Sequence, residues 1–321
     1  MSTKTVTVFG GSGFVGRAIV RALAQKGYLV RIAVRRIEFA EGVKTAGEVG
    51  QVMVMRANLR IPASVTRAVT GSDWVVNAAG IGWQRGRQRY QAVHAEGSRT
   101  LADACRSAGV KRLVHISGIG ADRRSSTNPY IKSKVAAEDA VIAGFSDATI
   151  VRPSVVFGPG DVMFNRLARI ACMAPFLPVI GDGSAKVQPV FVGDVANAVA
   201  EILMRPETAR SVFELGGPLV YSYREIAALV LREIDRPKRI IGVPAPLMKI
   251  AGFFAQQAAI VGLTPQLTVD QVELMLHDTV VRAGAQGLAT LGIQPTAAEA
   301  ILPTYLDRFR HGGRYNQHAP A

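Results

Sequence analysis

Thr5-Val6-Thr7-Val8-Phe9-Gly10-Gly11-Ser12-Gly13-Phe14-Val15-Gly16 is the stretch on which the fold turns. Its first five residues are β-branched or aromatic, as a strand requires, and glycines follow at 10, 13 and 16. Beyond them Ile19, Val20 and Leu23 recur at helical spacing as far as Lys26, and Gly27 supplies a left-handed stop. A strand that turns at once into a helix over closely set glycines meets one physical need well. The turn is tight, no Cβ bars the backbone from a pyrophosphate, and the helix N-terminus offers free N–H groups to the anion. Gly10, Gly11, Ser12, Gly13, Phe14, Val15 and Gly16 are therefore candidate dinucleotide-binding residues.

Outward from this stretch, residues 1–153 alternate short apolar runs with helical periods, the pattern of βαβ units. Strands are expected over Thr5–Phe9, Leu29–Val34, Gln51–Met55, Trp74–Asn77, Arg112–Ser117 and Thr149–Arg152. The fold class that follows is α/β: a Rossmann-type, doubly wound parallel sheet with a smaller, mostly helical C-terminal domain. Past Pro153 the glycines and prolines at 158–160, 175, 178 and 181–183 break the chain into loops, so a second unit is expected over 154–310, with a return to the sheet allowed. Three hydroxyl residues stand three places before Glu or Gln and predict helix starts: Ser222 with Glu225, Thr268 with Gln271, and Thr296 with Glu299. Residues 311–321 have the composition of a loose tail.

The chain has 321 residues, 49% of them apolar and 19% charged, which excludes a disordered or stapled small protein. Its net charge of +14 is localised: residues 1–160 hold 23 Lys/Arg against 10 Asp/Glu, residues 161–321 hold 15 against 14. A basic first half suits a phosphate-rich ligand, an acidic partner or an anionic membrane face. With 7% aromatic residues and no basic-aromatic motif, a nucleic-acid partner is the weakest of these. Cys105 and Cys172 make no disulfide framework, and the five histidines show no metal-ligand spacing, so no metal site is expected. A strand opening at Thr5 leaves no room for a secretory signal, and the apolar Pro246–Leu263, interrupted by Lys249 and Gln256-Gln257, suits a surface, a pocket wall or core better than a membrane span.

The end of the second strand selects the dinucleotide. NAD-preferring sites place a carboxylate there for the ribose hydroxyls, whereas this chain has Arg31-Ile32-Ala33-Val34-Arg35-Arg36. Arg35 and Arg36 favour a 2′-phosphate, so NADP(H) is expected over NAD(H). Asn58-Leu59 stands where an adenine edge would be read, and Ala78-Ala79-Gly80 gives small residues where a cofactor would lie on backbone. Chemistry is foreshadowed by Ser117 at a strand end and by Tyr130 and Lys134, four apart on one helical face. A serine to hold a substrate oxygen, a phenol to move a proton and an amine beside it suit hydride transfer with a nicotinamide.

These residues, with Asn77-Ala78-Ala79-Gly80 and the run Val151-Arg152-Pro153-Ser154-Val155-Val156-Phe157-Gly158-Pro159-Gly160, resemble the extended and atypical short-chain dehydrogenase/reductase superfamily. Within it the chain is similar to the nucleotide-binding accessory subunit of respiratory complex I and its bacterial relatives. The residues that carry this are Val30-Arg31 to Arg35, Gly86-Arg87-Gln88-Arg89-Tyr90, Val93-His94-Ala95-Glu96-Gly97, Gln188 to Val195, Leu263-Thr264, Asp270-Gln271-Val272 and Gly312-Gly313-Arg314-Tyr315. The resemblance implies catalytic positions at Ser117, Tyr130 and Lys134, a cofactor contact at Pro153, a bound NADPH, and a structural role beside complex I subunits at a membrane. Three departures stand out: Asn58 where many relatives have Asp, His94 where they have Asn, and a short insertion between Ser117 and Tyr130 that leaves fewer residues to shape a substrate pocket.

Two functions are expected from this. The first is a nucleotide-holding accessory or assembly protein of the complex I type. The second is an active NADP-dependent oxidoreductase on an apolar hydroxyl or ketone, such as a sterol-, quinone- or isoprenoid-like compound. The expected location is cytoplasmic with peripheral attachment to the inner membrane, or the matrix side in a mitochondrion.

Overall fold

The computed structural model describes residues 3–258 and 267–313. Leu263, Thr264, the end of the Pro246–Leu263 stretch, Arg314, Tyr315 and the rest of the tail from 314 to 321 lie outside the described residues. The chain divides into two units. The first takes Met1–Pro153, Val192–Leu215 and Arg282–Gln294; the second takes Ser154–Phe191, Gly216–Val281 and Pro295–Ala321. The segment expected as one unit over 154–310 thus gives two of its pieces to the first.

In the first unit, β1 (Thr5–Phe9), β2 (Leu29–Val34), β3 (Val52–Arg56), β4 (Trp74–Asn77), β5 (Arg112–Ile116) and β6 (Thr149–Pro153) join the strand Val212–Leu215 in one parallel sheet. The order is Val212–Leu215, β6, β5, β4, β1, β2, β3. Helices α1 (Phe14–Gln25), α2 (Pro62–Val69), α3 (Glu96–Ser107) and α4 (Pro129–Gly144) cross between strands. Because the order reverses between β1 and β4, α1 lies on one face while α2, α3 and α4 pack side by side on the other. Both faces are covered, which is why the strands read as near-continuous apolar runs. Val6, Val8, Ile19, Val20, Leu23 and Ile32 are fully buried. Phe9, Val75, Leu113 and Ile150 pack with Val65, Leu101, Cys105 and Val141 from the three helices.

The returning helix Val192–Met204 packs along α1, where Lys26 pairs with Glu201 at 3.0 Å, and it leads to the seventh strand. Helix α1 ends one residue before the expected Lys26, with Gly27 at φ +81 just past it. The strand limits shift by a residue at β3, β5 and β6, as hydrogen-bond definitions of ends commonly do.

The second unit is mostly helical, as expected, and carries short strands as well. Helices Met163–Met173 and Tyr223–Glu233 pack over Phe157, Phe164, Leu177, Ile226 and Leu302, but Phe176–Ile180 and Arg239–Val243 form a parallel pair. Pro178 inside the first of these hid its strand character, and a two-stranded pair tolerates proline because each strand has a free edge. The expected starts at Ser222 and Thr268 form: Ser222 and Glu225 cap each other reciprocally, and Thr268 accepts from the Gln271 N–H at 3.2 Å. At the third, the helix Ala298–Ile301 has Ala297 at its N-cap, one residue after Thr296, and Glu299 accepts from the Tyr221 hydroxyl at 2.7 Å. The apolar run Ile170–Ile180 buries Leu177, Val179 and Ile180, whereas the helix Ala245–Ala258 leaves Leu247, Ile250, Phe253 and Phe254 more than half exposed. Among the described residues no helix is long and apolar enough to cross a membrane.

Candidate functional site

A crevice opens at the carboxyl ends of the strands where β1 adjoins β4, the switch point at which open α/β sheets hold ligands. Its walls are Phe9, Gly10, Ser12 and Gly13 after β1, Ala33 to Arg35 at β2, Ala57 to Arg60 after β3, and Ala78 to Ile81 with Val93. The glycines serve it in different ways. Gly10 has φ +76, and a Cβ there would sit 2.7 Å from the Ala78 carbonyl oxygen. Gly16 faces inward: its Cβ would lie 2.1 Å from the Gly10 carbonyl oxygen, so glycine is what lets α1 close onto the turn. Gly11 packs on Ile32 and Val20. Gly13 is the N-cap of α1, with no side-chain cap and no acidic residue in the first turn, so the helix N-terminus at Phe14 and Val15 keeps its positive end open.

Where β2 and β3 end at this crevice the chain gathers cations. Arg35 lies at the end of β2 and shares the wall with Arg60, and Arg36 stacks over the Phe39 ring at 4.3 Å. Among the described residues none of the three lies within 4 Å of a carboxylate. Burial, then Arg60 and Arg36, hold the Arg35 guanidinium below its ordinary range, the mark of a cation crowded by its own kind. Asn58 turns its Oδ1 onto the Arg60 N–H (3.1 Å), while its backbone N–H donates to Ser64 Oγ (3.0 Å). One lone pair of the amide oxygen is thus already engaged, and the side-chain NH2 is the freer group toward a base.

The second cluster lies on α4. Asn128 caps it, accepting from the Tyr130 N–H at 3.0 Å, and Pro129 occupies the first helical position. Lys134 is buried one turn on, its Nζ 5.9 Å from the centre of the Tyr130 ring. Ser117 follows β5 and ties its N–H to the Val151 carbonyl at 2.7 Å; its Oγ is buried with no hydrogen-bond partner among the described residues. Pro153 closes β6 and accepts from the Ile119 N–H. Ser117, Tyr130, Lys134 and Pro153 do not wall the crevice. Its link to α4 is Gly80, where a Cβ would lie 3.6 Å from His94 Nε2 and 3.9 Å from Lys134 Nζ.

His94, noted from sequence within the run Val93–Gly97 and as a departure, organises this join. It sits in a π-helical turn, Gln91–Ala95, ahead of α3. Its Nε2 accepts from the Ile81 N–H at 3.0 Å, and its Nδ1 lies 2.8 Å from Ser133 Oγ. Ser133 Oγ donates its one proton to the Tyr130 carbonyl (2.7 Å), so the ring is the donor to Ser133 and is neutral. Tyr90 stacks on it at 5.5 Å, and both rings meet Tyr130 edge-on. On β5, His115 accepts at Nδ1 from Asn77 Nδ2 (3.1 Å) and buries an Nε2 with no partner among the described residues. The only hint of this in the sequence is a histidine within the apolar run of β5.

Burial, with the Lys134 ammonium second, pushes both His94 and His115 down to about 3. Unfolded histidines titrate near ~6.5, so below that pH the unfolded chain binds more protons and the fold loses stability as pH falls toward the depressed values. Between about pH 6.5 and 4.5 the loss is expected to be on the order of 2 kcal/mol per ring. Urea titrations across this window check it, and His115→Gln should flatten the dependence. A wild-type stability that does not change there would contradict the neutral pair.

Residues 6–216 match the model of the NAD dependent epimerase/dehydratase family. The chain belongs to that family. Among curated members, the mitochondrial NADH-ubiquinone oxidoreductase 40 kDa subunit of Neurospora crassa is 32% identical over 314 residues, 97% of this chain and 81% of that protein. The ceramide reductase of Caulobacter vibrioides is 32% identical over 249 residues, 77% of this chain and 76% of its own. The solved dTDP-glucose 4,6-dehydratase of Streptomyces venezuelae shares the epimerase/dehydratase fold with a TM-score of 0.68 at 19% identity, covering 95% of this chain and 96% of that one.

Proposed function

We propose that this protein holds NADP(H) as a resident nucleotide and serves as an accessory subunit of a respiratory complex I type assembly. The observation that carries the nucleotide half is the crevice itself: an uncapped helix N-terminus over bare glycine backbone, continued by arginines with no carboxylate among its walls. The first turn of α1 would receive the pyrophosphate, Arg35 the 2′-phosphate, Asn58 and Leu59 the adenine, and Ala78, Ala79 and Gly80 the backbone side of the cofactor. The assembly half rests on similarity to the 40 kDa subunit along nearly the whole chain. Exposed Leu247, Ile250, Phe253 and Phe254 are compatible with attachment to a partner or an anionic membrane face. Gentle purification from the native host, followed by identification of the nucleotide and the assembly that accompany the protein, tests both halves. NADP(H) and co-migration with NADH:ubiquinone oxidoreductase are expected; a nucleotide-free, solitary protein refutes the reading.

A second reading, a working oxidoreductase on an apolar ketone or hydroxyl, is favoured by the buried Ser117 Oγ that lacks a partner among the described residues and by the similarity to a ceramide reductase. When bound, the nicotinamide would supply or take the hydride. Ser117 would hold the substrate oxygen, Tyr130 would move the proton at that oxygen, and Lys134 would orient the cofactor and the phenol. Tyr130→Phe is expected to lower any reductase turnover by about a hundredfold or more while NADPH affinity stays within twofold, roughly the worth of a positioned proton donor. Unchanged turnover in that variant removes the enzymatic reading.

A further inference from the structure

Beside the crevice lies a second cavity of about 330 Å³, walled by Arg35, Arg56, Asn58, Ile61, Ser64 and Arg67 among others. We propose that it is a phosphate-monoester pocket, with Arg56 and Arg67 as ligands beside Arg35, and that it takes the 2′-phosphate of the dinucleotide held in the crevice. The proposal rests on the nucleotide reading above and adds to it two residues that no family motif marks.

The local structure brings these cations together from three elements. Arg56 ends β3 in register with Val34 on β2, so it stands beside Arg35 at the sheet's edge. Arg67 is on α2, three residues after Ser64 and hence on the same helical face. Ser64 Oγ bonds the Asn58 and Ile61 carbonyls (3.1 and 2.8 Å) and accepts from the Asn58 N–H, which fixes the β3–α2 turn between the strand and helix arginines. No carboxylate lines the cavity, and among the described residues Arg35, Arg56 and Arg67 have none within 4 Å. Three guanidiniums around one hollow repel each other until an anion enters. A phosphate monoester carries close to two negative charges and three acceptor oxygens, which matches several guanidinium forks better than a diester or a carboxylate.

The source of the phosphate follows from the shared wall. Arg35, Ala57 and Asn58 line both the crevice and the cavity, so an anion in one is a short step from an adenosine in the other. Arg36 is not among the cavity's walls; its guanidinium lies over Phe39.

Dissociation constants of the full chain for NADPH, NADH, 2′,5′-ADP, 5′-AMP and inorganic phosphate, in wild type, Arg56→Met, Arg67→Met and Arg36→Met, test the proposal. Arg56→Met and Arg67→Met should each weaken NADPH and 2′,5′-ADP about tenfold, the usual scale of a charge-assisted hydrogen bond, and move NADH and 5′-AMP less than twofold. Arg36→Met should change the preference less than either. The two pocket arginines are exposed, so the variants should melt with the wild type. A wild-type NADPH preference retained in both pocket variants overturns the proposal and leaves the nucleotide reading standing. Inorganic phosphate that binds through Arg56 and Arg67 while the NADPH preference ignores them also overturns it, in favour of a free-anion site. A wild type that binds neither dinucleotide refutes the nucleotide reading and the pocket's assignment with it.

Discussion

Arg152→Met is expected to destabilise the protein by about 3–5 kcal/mol, the usual cost of removing one member of a buried ion pair. Arg152 on β6 forks onto Glu138 of α4, with Nε–Oε1 at 2.9 Å and Nη2–Oε2 at 2.6 Å. Its other terminal nitrogen lies 3.6 Å from Glu214 on the seventh strand. Arg282 holds Glu214 from the far side at 2.6 Å, so it is Glu138 that the variant leaves charged, buried and alone. Glu138 lies one turn beyond Lys134 on α4, and the loss should loosen the helix that carries Tyr130 and Lys134. Urea unfolding measures the effect. The double variant Arg152→Met/Glu138→Leu should recover much of it, because removing both charges also removes the stranded one. A single variant within about 1 kcal/mol of wild type would mean that the pair is not the anchor of α4.

Gly16→Val is expected to cost about 3 kcal/mol or more and to abolish dinucleotide binding, since overpacking at a rigid backbone contact has no side chain to yield. The first added carbon meets the Gly10 carbonyl oxygen at 2.1 Å and Gly11 Cα at 2.8 Å. Only separation of α1 from the β1 turn relieves that clash, and separation opens the wall of the crevice at the proposed pyrophosphate seat. Gly27→Ala is the control: nothing lies within 4 Å of its Cβ, and only the φ of +81 is strained. That control should cost about 1 kcal/mol and leave nucleotide affinity intact. Comparable losses in the two variants would show that conformational freedom, and not close approach, is what Gly16 provides.

Local features of this molecule were legible where neighbouring residues alone set the chain conformation. The turn from Thr5 to Gly16, the carboxyl ends of β2, β3 and β4, and the Tyr130–Lys134 spacing are each set within a dozen residues, and they lie where their strands and helices end. Glu299, by contrast, is held by the Tyr221 hydroxyl, a partner 78 positions away that no local pattern displays. Phe176–Ile180 was obscured likewise, because its strand partner, Arg239–Val243, lies far along the chain.

The amino-acid order by itself determined that β1 must turn sharply into α1, that the first unit is a parallel sheet, and that the second strand ends in cations instead of an acid. Those properties follow from backbone freedom, hydrophobic period and charge, all of which are local. Only the tertiary structure decided that Arg56 and Arg67 join Arg35, that His94 binds the β4 exit to α4 as a neutral ring, and that Val192–Leu215 and Arg282–Gln294 complete the first unit. Such groupings depend on which strand ends and helix faces the packing of the sheet sets side by side, and residues distant in the chain carry no mark of that adjacency.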